Sequence, residues 1–236
     1  MMPILVVENL TYAYQGAAMH FDLAVEAGEW LAIVGPSGAG KSTLLDLIAG
    51  FITPVAGRIL IDGRDLTDVA PGERPVSFLF QENNLFPHLT ALQNVVLGLT
   101  SRMRPDASQK LAAGEALAMV GLGGFETRLP AQMSGGERQR VALARAMVRK
   151  RPILMLDEPF AALGPAMRLE MLELLSRLRL QTGMAILMVT HQPDDAAGYA
   201  EKLAFVDNGE IVLSGNTSTL LTPPVDSRIA SYLGKA

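Results

Sequence analysis

A chain of 236 residues, 49% of them hydrophobic, can bury a large core without staples, which predicts one α/β domain over residues 1–236 with a smaller lobe inserted into it. It has no cysteine, which excludes disulfides, thiolate metal sites and cysteine nucleophiles and is compatible with a reducing cytoplasm. The formal net charge of −4, with no basic stripe, argues against nucleic acid as the main partner, because phosphate neutralisation needs clustered Lys and Arg.

In chain order, Met1 to Glu8 has no basic region and meets an acid too early for a signal peptide, so the protein is expected to stay inside the cell. Ile4 to Asn9 and Phe21 to Glu26 are short β-like segments, with Tyr12, Tyr14 and Gly16 between them. A tyrosine there is either a platform for a nucleotide base or a packed strand end. Trp30 to Val34 is an apolar strand that runs directly into Gly35, Pro36, Ser37, Gly38, Ala39, Gly40, Lys41 and Ser42, an unbroken G-x-x-x-x-G-K-[ST] motif. Ser42-Thr43-Leu44-Leu45-Asp46-Leu47-Ile48-Ala49 has helical spacing and stops at Gly50. Strand, glycine loop and helix in that order form a phosphate clamp. The glycines let successive N–H groups turn inward, the helix N-terminus adds positive potential, Lys41 reaches the β- and γ-phosphates, and the Ser42 hydroxyl is free to hold Mg²⁺.

Gly57 to Gly63 reads as a strand closed by a turn, and Val76 to Phe80 as a buried strand ending at Gln81. Gln81 is either a contact to Mg²⁺ or the attacking water, or an exposed loop residue. Mean hydropathy is +0.26, and Asn83 to Ser101 carries no formal charge with His88 neutral. That stretch reads as exposed apolar surface for a protein partner or as ordinary core. No apolar run reaches the roughly 18 residues that a bilayer span needs. Ala91 to about Val120 is rich in helix formers, a helical lobe. Met133-Ser134-Gly135-Gly136-Glu137 then opens a helix through about Arg149, with a capping hydroxyl and bare N–H groups suited either to a second anion or simply to a cap.

Ile153 to Asp157 is an apolar strand ending in Asp157 and Glu158, with Pro159 limiting its continuation. Acids at the end of a core strand suit Mg²⁺ binding by Asp157 and proton abstraction from water by Glu158. Pro165 to Gln181 is an amphipathic helix. Ala185 to Thr190 is a further buried strand delivering His191, which is either a structural histidine or, at the same sheet edge as the acids, a donor to a γ-phosphate. Asn208-Gly209 between Leu203 to Asp207 and Glu210 to Leu213 signals a type I′ hairpin.

Together these residues resemble the nucleotide-binding subunit of ATP-binding-cassette (ABC) transporters over nearly the whole chain. Walker A is Gly35 to Ser42, the glutamine loop Gln81, the signature Ser134 to Glu137, Walker B Ile153 to Asp157 with Glu158, and the switch histidine His191. The resemblance implies a P-loop fold with a RecA-like sheet core, an antiparallel β subdomain, a helical subdomain at roughly 85–148, and no C-terminal regulatory domain. It implies ATP and Mg²⁺, with Ser42, Gln81 and Asp157 on the metal, Glu158, His191 and Gln81 catalytic, and Tyr14 stacked on adenine. Ser134, Gly135, Gly136 and Glu137 would bind the ATP held by a second chain's Walker A, in a head-to-tail homodimer closed by ATP and released by hydrolysis. It further implies a transmembrane permease receiving a helix near Leu85, Phe86 and Leu89, a periplasmic solute-binding protein acting indirectly, and a place on the cytoplasmic face of a bacterial inner membrane. Within the family, Gln81 to His88 and the short opening Tyr14 to His20 are similar to the ATPase subunits of thiamine importers, while importers of iron, sulfate, polyamines or maltose share most of the motifs. Met133 stands where the family usually has Leu, and Gly164 where it usually has Asp, which bears on communication between the two sites. Two other classes fit less well: non-transport ABC ATPases carry heptad arms or two cassettes, and P-loop metabolite kinases lack the signature.

Overall fold

The computed structural model describes residues 3–14, 17–80, 84–100, 105–222 and 226–233. β1 (Leu5–Tyr14) and β2 (Ala17–Val25) are an antiparallel pair, with Leu5 opposite Val25 and Tyr14 opposite Ala17. Both strands outrun their expected lengths. Only Phe21, Leu23 and Val25 of β2 alternate inward, whereas Ala17 and Ala18 are exposed, so pairing continues where hydrophobic alternation has ceased. A bulge between Val7 and Leu10 leaves Asn9 at φ 46, its N–H bonded to Asp22 Oδ1 at 2.7 Å. β4 (Ala56–Ile61) covers the other edge of β1, and β5 (Arg64–Asp65) pairs with β4.

β3 (Trp30–Val34), β6 (Val76–Leu79), β7 (Ile153–Asp157), β8 (Ala185–Val189) and β9 (Lys202–Asp207) run parallel, and their near-continuous apolar sequences suit strands covered on both faces. β10 (Glu210–Asn216) returns from β9 through Asn208 and Gly209 at φ 48 and 81, the positive pair that a type I′ turn requires, and meets β2 at Glu210 opposite His20. The sheet order is β5-β4-β1-β2-β10-β9-β3-β8-β7-β6.

Two cores form on the two faces. In one, α1 (Lys41–Ala49) buries Leu44, Leu45, Leu47 and Ile48 among Leu5, Phe21 and Ile59 of the antiparallel strands and Ile33, Met155 and Leu187 of the parallel ones. Arg74, 2% exposed, ties down its C-terminal end by donating to the carbonyls of Leu47, Ile48, Thr67 and Val69. On the other face lie α2 (Ala91–Val96), α3 (Ala107–Met119) and α4 (Gly135–Met147), with α5 (Pro165–Thr182), α6 (Pro193–Tyr199), α7 (Thr217–Leu221) and α8 (Ser227–Tyr232). The helical stretch expected over Ala91 to Val120 is two helices. Gly98 lies so near the Arg145 carbonyl that a Cβ would come within 2.3 Å of it, and Asp106 starts α3 afresh with a capping box to Gln109.

Candidate functional site

The loop from Gly35 to Gly40 joins β3 to α1 at the carboxyl edge of the parallel strands. Gly35, at φ 149, passes so near β9 that a Cβ there would lie 1.9 Å from the Val206 carbonyl oxygen. No other residue type fits. Gly40, the N-cap of α1, has φ 103 and no side-chain hydrogen bond to the helix, so the first-turn N–H groups face the loop without a cap. Lys41 is 5% exposed and folds across the loop, donating to the Gly35 and Pro36 carbonyls at 2.9 and 2.7 Å. Burial lowers its amine below the ordinary value, and the Glu158 and Asp157 carboxylates oppose that shift.

The Ser42 hydroxyl donates to Asp157 Oδ1 at 3.1 Å, which brings the first helical turn to the end of β7. Burial raises the Asp157 carboxyl, Glu158 adds to the rise, and the Ser42 hydrogen bond, Lys41 and His191 work against it. A half-buried carboxylate and a hydroxyl as adjacent hard oxygen donors fit a small divalent cation such as Mg²⁺. Glu158 is held at φ 45, its N–H on the Val189 carbonyl at 3.1 Å, so a non-glycine residue is strained at the functional edge. His191 Nε2 lies 2.5 Å from Glu158 Oε1. The strand end before it is secured by Thr190, whose N–H donates to Ile33 O and whose hydroxyl donates to Asp195 Oδ2, a carboxyl raised by burial. Thus Ser42, Lys41, Asp157, Glu158 and His191 converge. Gln81 and the Tyr14 side chain lie outside what the structure describes.

The signature occupies another place. Ser134 caps α4, its hydroxyl accepting from the Glu137 N–H at 3.2 Å while Glu137 Oε2 accepts from the Ser134 N–H at 2.6 Å. Gly136 packs on α5, where a Cβ would come within 2.7 Å of Met167 Sδ, and Gly135 faces open space. Among the described residues, no hydrogen bond joins Ser134 to Glu137 with Gly35 to Ser42. Sequence reasoning passed over Gln139, which is 3% exposed and donates to the Pro159 carbonyl at 2.8 Å, linking α4 to the turn after Glu158. Its place on the inner face of a glycine-opened helix was the available signal.

The family model described as ABC transporter matches residues 18–161, across the clamp, the signature and Walker B. The chain belongs to the ABC transporter family. The "Thiamine import ATP-binding protein ThiQ" of Brucella suis is 52% identical over 227 residues, covering 96% of this chain and 94% of the relative. The protein of that name from Photorhabdus laumondii is 51% identical over 231 residues, covering 98% and 97%. Among solved structures, the ATP-binding cassette MJ0796, a dimer in a post-hydrolysis state bound to ADP and phosphate, is 30% identical with a TM-score of 0.75 over 90% of this chain and 98% of that one. CbiO1 from Clostridium perfringens, part of the ABC transporter complex cbiONQ, is 27% identical with a TM-score of 0.86, over 99% and 95%. The α/β P-loop fold expected of an ABC ATPase, and its ATPase class, therefore hold.

Proposed function

We propose that this chain is the ATP-hydrolysing subunit of a bacterial importer for thiamine and its phosphate esters. The observation that carries the cargo is the roughly half identity, along nearly the full length of both chains, to thiamine import ATP-binding proteins. The clamp supplies the work: N–H groups from Gly35 to Thr43 and the Lys41 ammonium bind the ATP phosphates, displacing Lys41 from the loop carbonyls it now holds. Ser42 and Asp157, with Gln81, hold Mg²⁺, which when bound offsets the charge on the β- and γ-phosphates. Glu158 takes a proton from the water aimed at the γ-phosphate, and His191 orients beside it.

The signature completes the site of a second copy. Ser134, Gly135, Gly136 and Glu137 of one chain close over the ATP held by the other in a head-to-tail dimer, and Tyr14 stacks on its adenine. Residues from roughly 85 to 148 form the helical subdomain of a single ATPase domain spanning 1–236. A transmembrane permease docks near Leu85, Phe86 and Leu89, where Phe86 is 47% exposed, and a periplasmic binding protein acts through it. Among the described residues no helix is long and apolar enough to cross a membrane. Docking on the permease would hold the subunit peripherally, on the cytoplasmic face of the inner membrane.

Reconstitution with the permease and binding protein in proteoliposomes tests the cargo. Thiamine-loaded binding protein should stimulate ATP hydrolysis, while preparations offered iron, sulfate or polyamine should not. Stimulation by one of those solutes and not by thiamine would replace the cargo and leave the ATPase assignment standing.

A further inference from the structure

The end of the described chain reaches the catalytic edge. Ile229 on α8 is 1% exposed and anchors that helix in the core, and Asp226 caps it by accepting from the Arg228 N–H at 2.9 Å. Anchored in this way, α8 places the Tyr232 ring edge-on against Phe205 of β9, with centroids 5.5 Å apart. The Tyr232 hydroxyl donates to the backbone carbonyl of His191 at 3.4 Å. Burial raises the phenol above its ordinary value, a hydrogen bond from the Gly35 backbone opposes the rise, and the Glu158 carboxylate adds to it. The hydroxyl thus sits on the His191 backbone, and its ring borders both Pro36 of the clamp and His191. The ring also divides two clefts, one lined by Pro36, Phe205 and Asp207, the other by His191, Pro193 and Ala197. Thr190 secures the strand end through Ile33 and Asp195, but Tyr232 acts on His191 itself.

We propose that Tyr232 is a positioning residue: its hydroxyl holds the His191 loop beside the clamp, so that the imidazole stays in reach of Glu158 and of the γ-phosphate of bound ATP. This rests on the catalytic roles proposed above for Glu158 and His191. The proton of the hydroxyl is donated to the backbone of His191, while the phosphate-binding N–H groups and Lys41 remain in place without it, so its loss is expected in the hydrolytic step and not in the capture of nucleotide.

The test is steady-state ATP hydrolysis by the full chain carrying Tyr232→Phe, which keeps the ring against Phe205 and removes the donor. Loss of one hydrogen bond should lower kcat about 3- to 10-fold, with KM and the affinity for a fluorescent ATP analogue unchanged. The melting temperature should move by no more than about 1 °C. In a His191→Ala background the same substitution should have no further effect, because the group it positions is gone. An unchanged kcat in Tyr232→Phe, an equal proportional loss in both backgrounds, or a loss of affinity at constant kcat would each overturn the role. Glu158→Gln assayed alongside separates the failures. If that variant still hydrolyses ATP, the catalytic reading falls; if it does not and Tyr232→Phe is unaffected, only the role of Tyr232 falls.

Discussion

α1 and α4 both start in glycine-containing motifs, and their first turns are finished differently. α1 starts at Gly40 with no side chain capping it and with Lys41 turned back on the loop carbonyls, whereas α4 starts at Ser134 with both halves of a capping box closed by Glu137. An uncapped N-terminus keeps its N–H groups for an anion, so α1 has affinity for phosphate by itself. A capped one is stable alone, and offers only the outer N–H groups and the Ser134 hydroxyl to a ligand brought by another molecule. Among the described residues of one chain no hydrogen bond joins the two termini. The difference fits the proposed function, in which the subunit binds ATP singly and needs a second copy to hydrolyse it.

The severest test of this contrast is Glu158→Gln, which removes the proton acceptor but keeps its shape beside His191. Hydrolysis should fall by about 100-fold or more while ATP still binds. The α1 and α4 termini of two copies would then stay joined, and size-exclusion chromatography with ATP should show a stable dimer. A variant that remains monomeric while the parent hydrolyses normally would break the composite site. Lys41→Ala comes next. Loss of a charge-assisted contact should weaken a fluorescent ATP analogue about 10- to 100-fold. Unchanged affinity would mean that the loop N–H groups suffice and that Lys41 is held at Gly35 and Pro36 for another reason.

Ser134→Ala sharpens the same contrast at lower amplitude. Removal of an N-cap costs about 1 kcal/mol, or about 2–4 °C in a chain of this size. Nucleotide affinity of the isolated chain should be unaffected, while ATP-driven dimer formation and hydrolysis decline together. The cap is also acid-sensitive. Hydrogen bonds from the Ser134 N–H and then its hydroxyl hold the Glu137 carboxyl below the usual carboxylate range. A depressed folded-state value gives a contribution that is present above the ordinary range and lost as pH falls through the folded value. Thermal melts of Ser134→Ala should therefore change less steeply with acid than those of the parent.

Most of the site was legible because its parts are local. β3, β7 and β8 are each a short apolar run followed directly by the residues that matter, and parallel strands side by side must bring Gly35, Asp157 and His191 to one edge. The parts that were not legible depend on long-range contacts without periodicity. Arg74 looks like a surface cation until α1 presents its last carbonyls to it, and Gln139 like a solvated helix residue until Pro159 lies over it. The β1–β2 pair was underestimated for a related reason, since backbone pairing between exposed alanines leaves no mark in hydropathy.

The smallest expected effect falls between the two termini, at Gly164. It is the N-cap of α5, with φ −66 and ψ 161, no side-chain cap, and open space where a Cβ would be built. Any residue can adopt that conformation, so no special freedom of glycine is needed. Aspartate at an N-cap is only a few tenths of a kcal/mol better than Gly, so Gly164→Asp should raise the melting temperature by at most about 2 °C. Resemblance to the family suggests a larger role between subunits, because the Asp usual at this position faces the partner's Walker A. The added carboxylate should then tie the α1 site of one copy to the turn before α5 of the other, and raise the rate or cooperativity of hydrolysis in the assembled transporter. Rate against ATP concentration decides the matter: a steeper or higher curve for Gly164→Asp assigns the effect to coupling across the dimer, while superimposable curves make the substitution neutral and confine cross-subunit contact to the Ser134 cap.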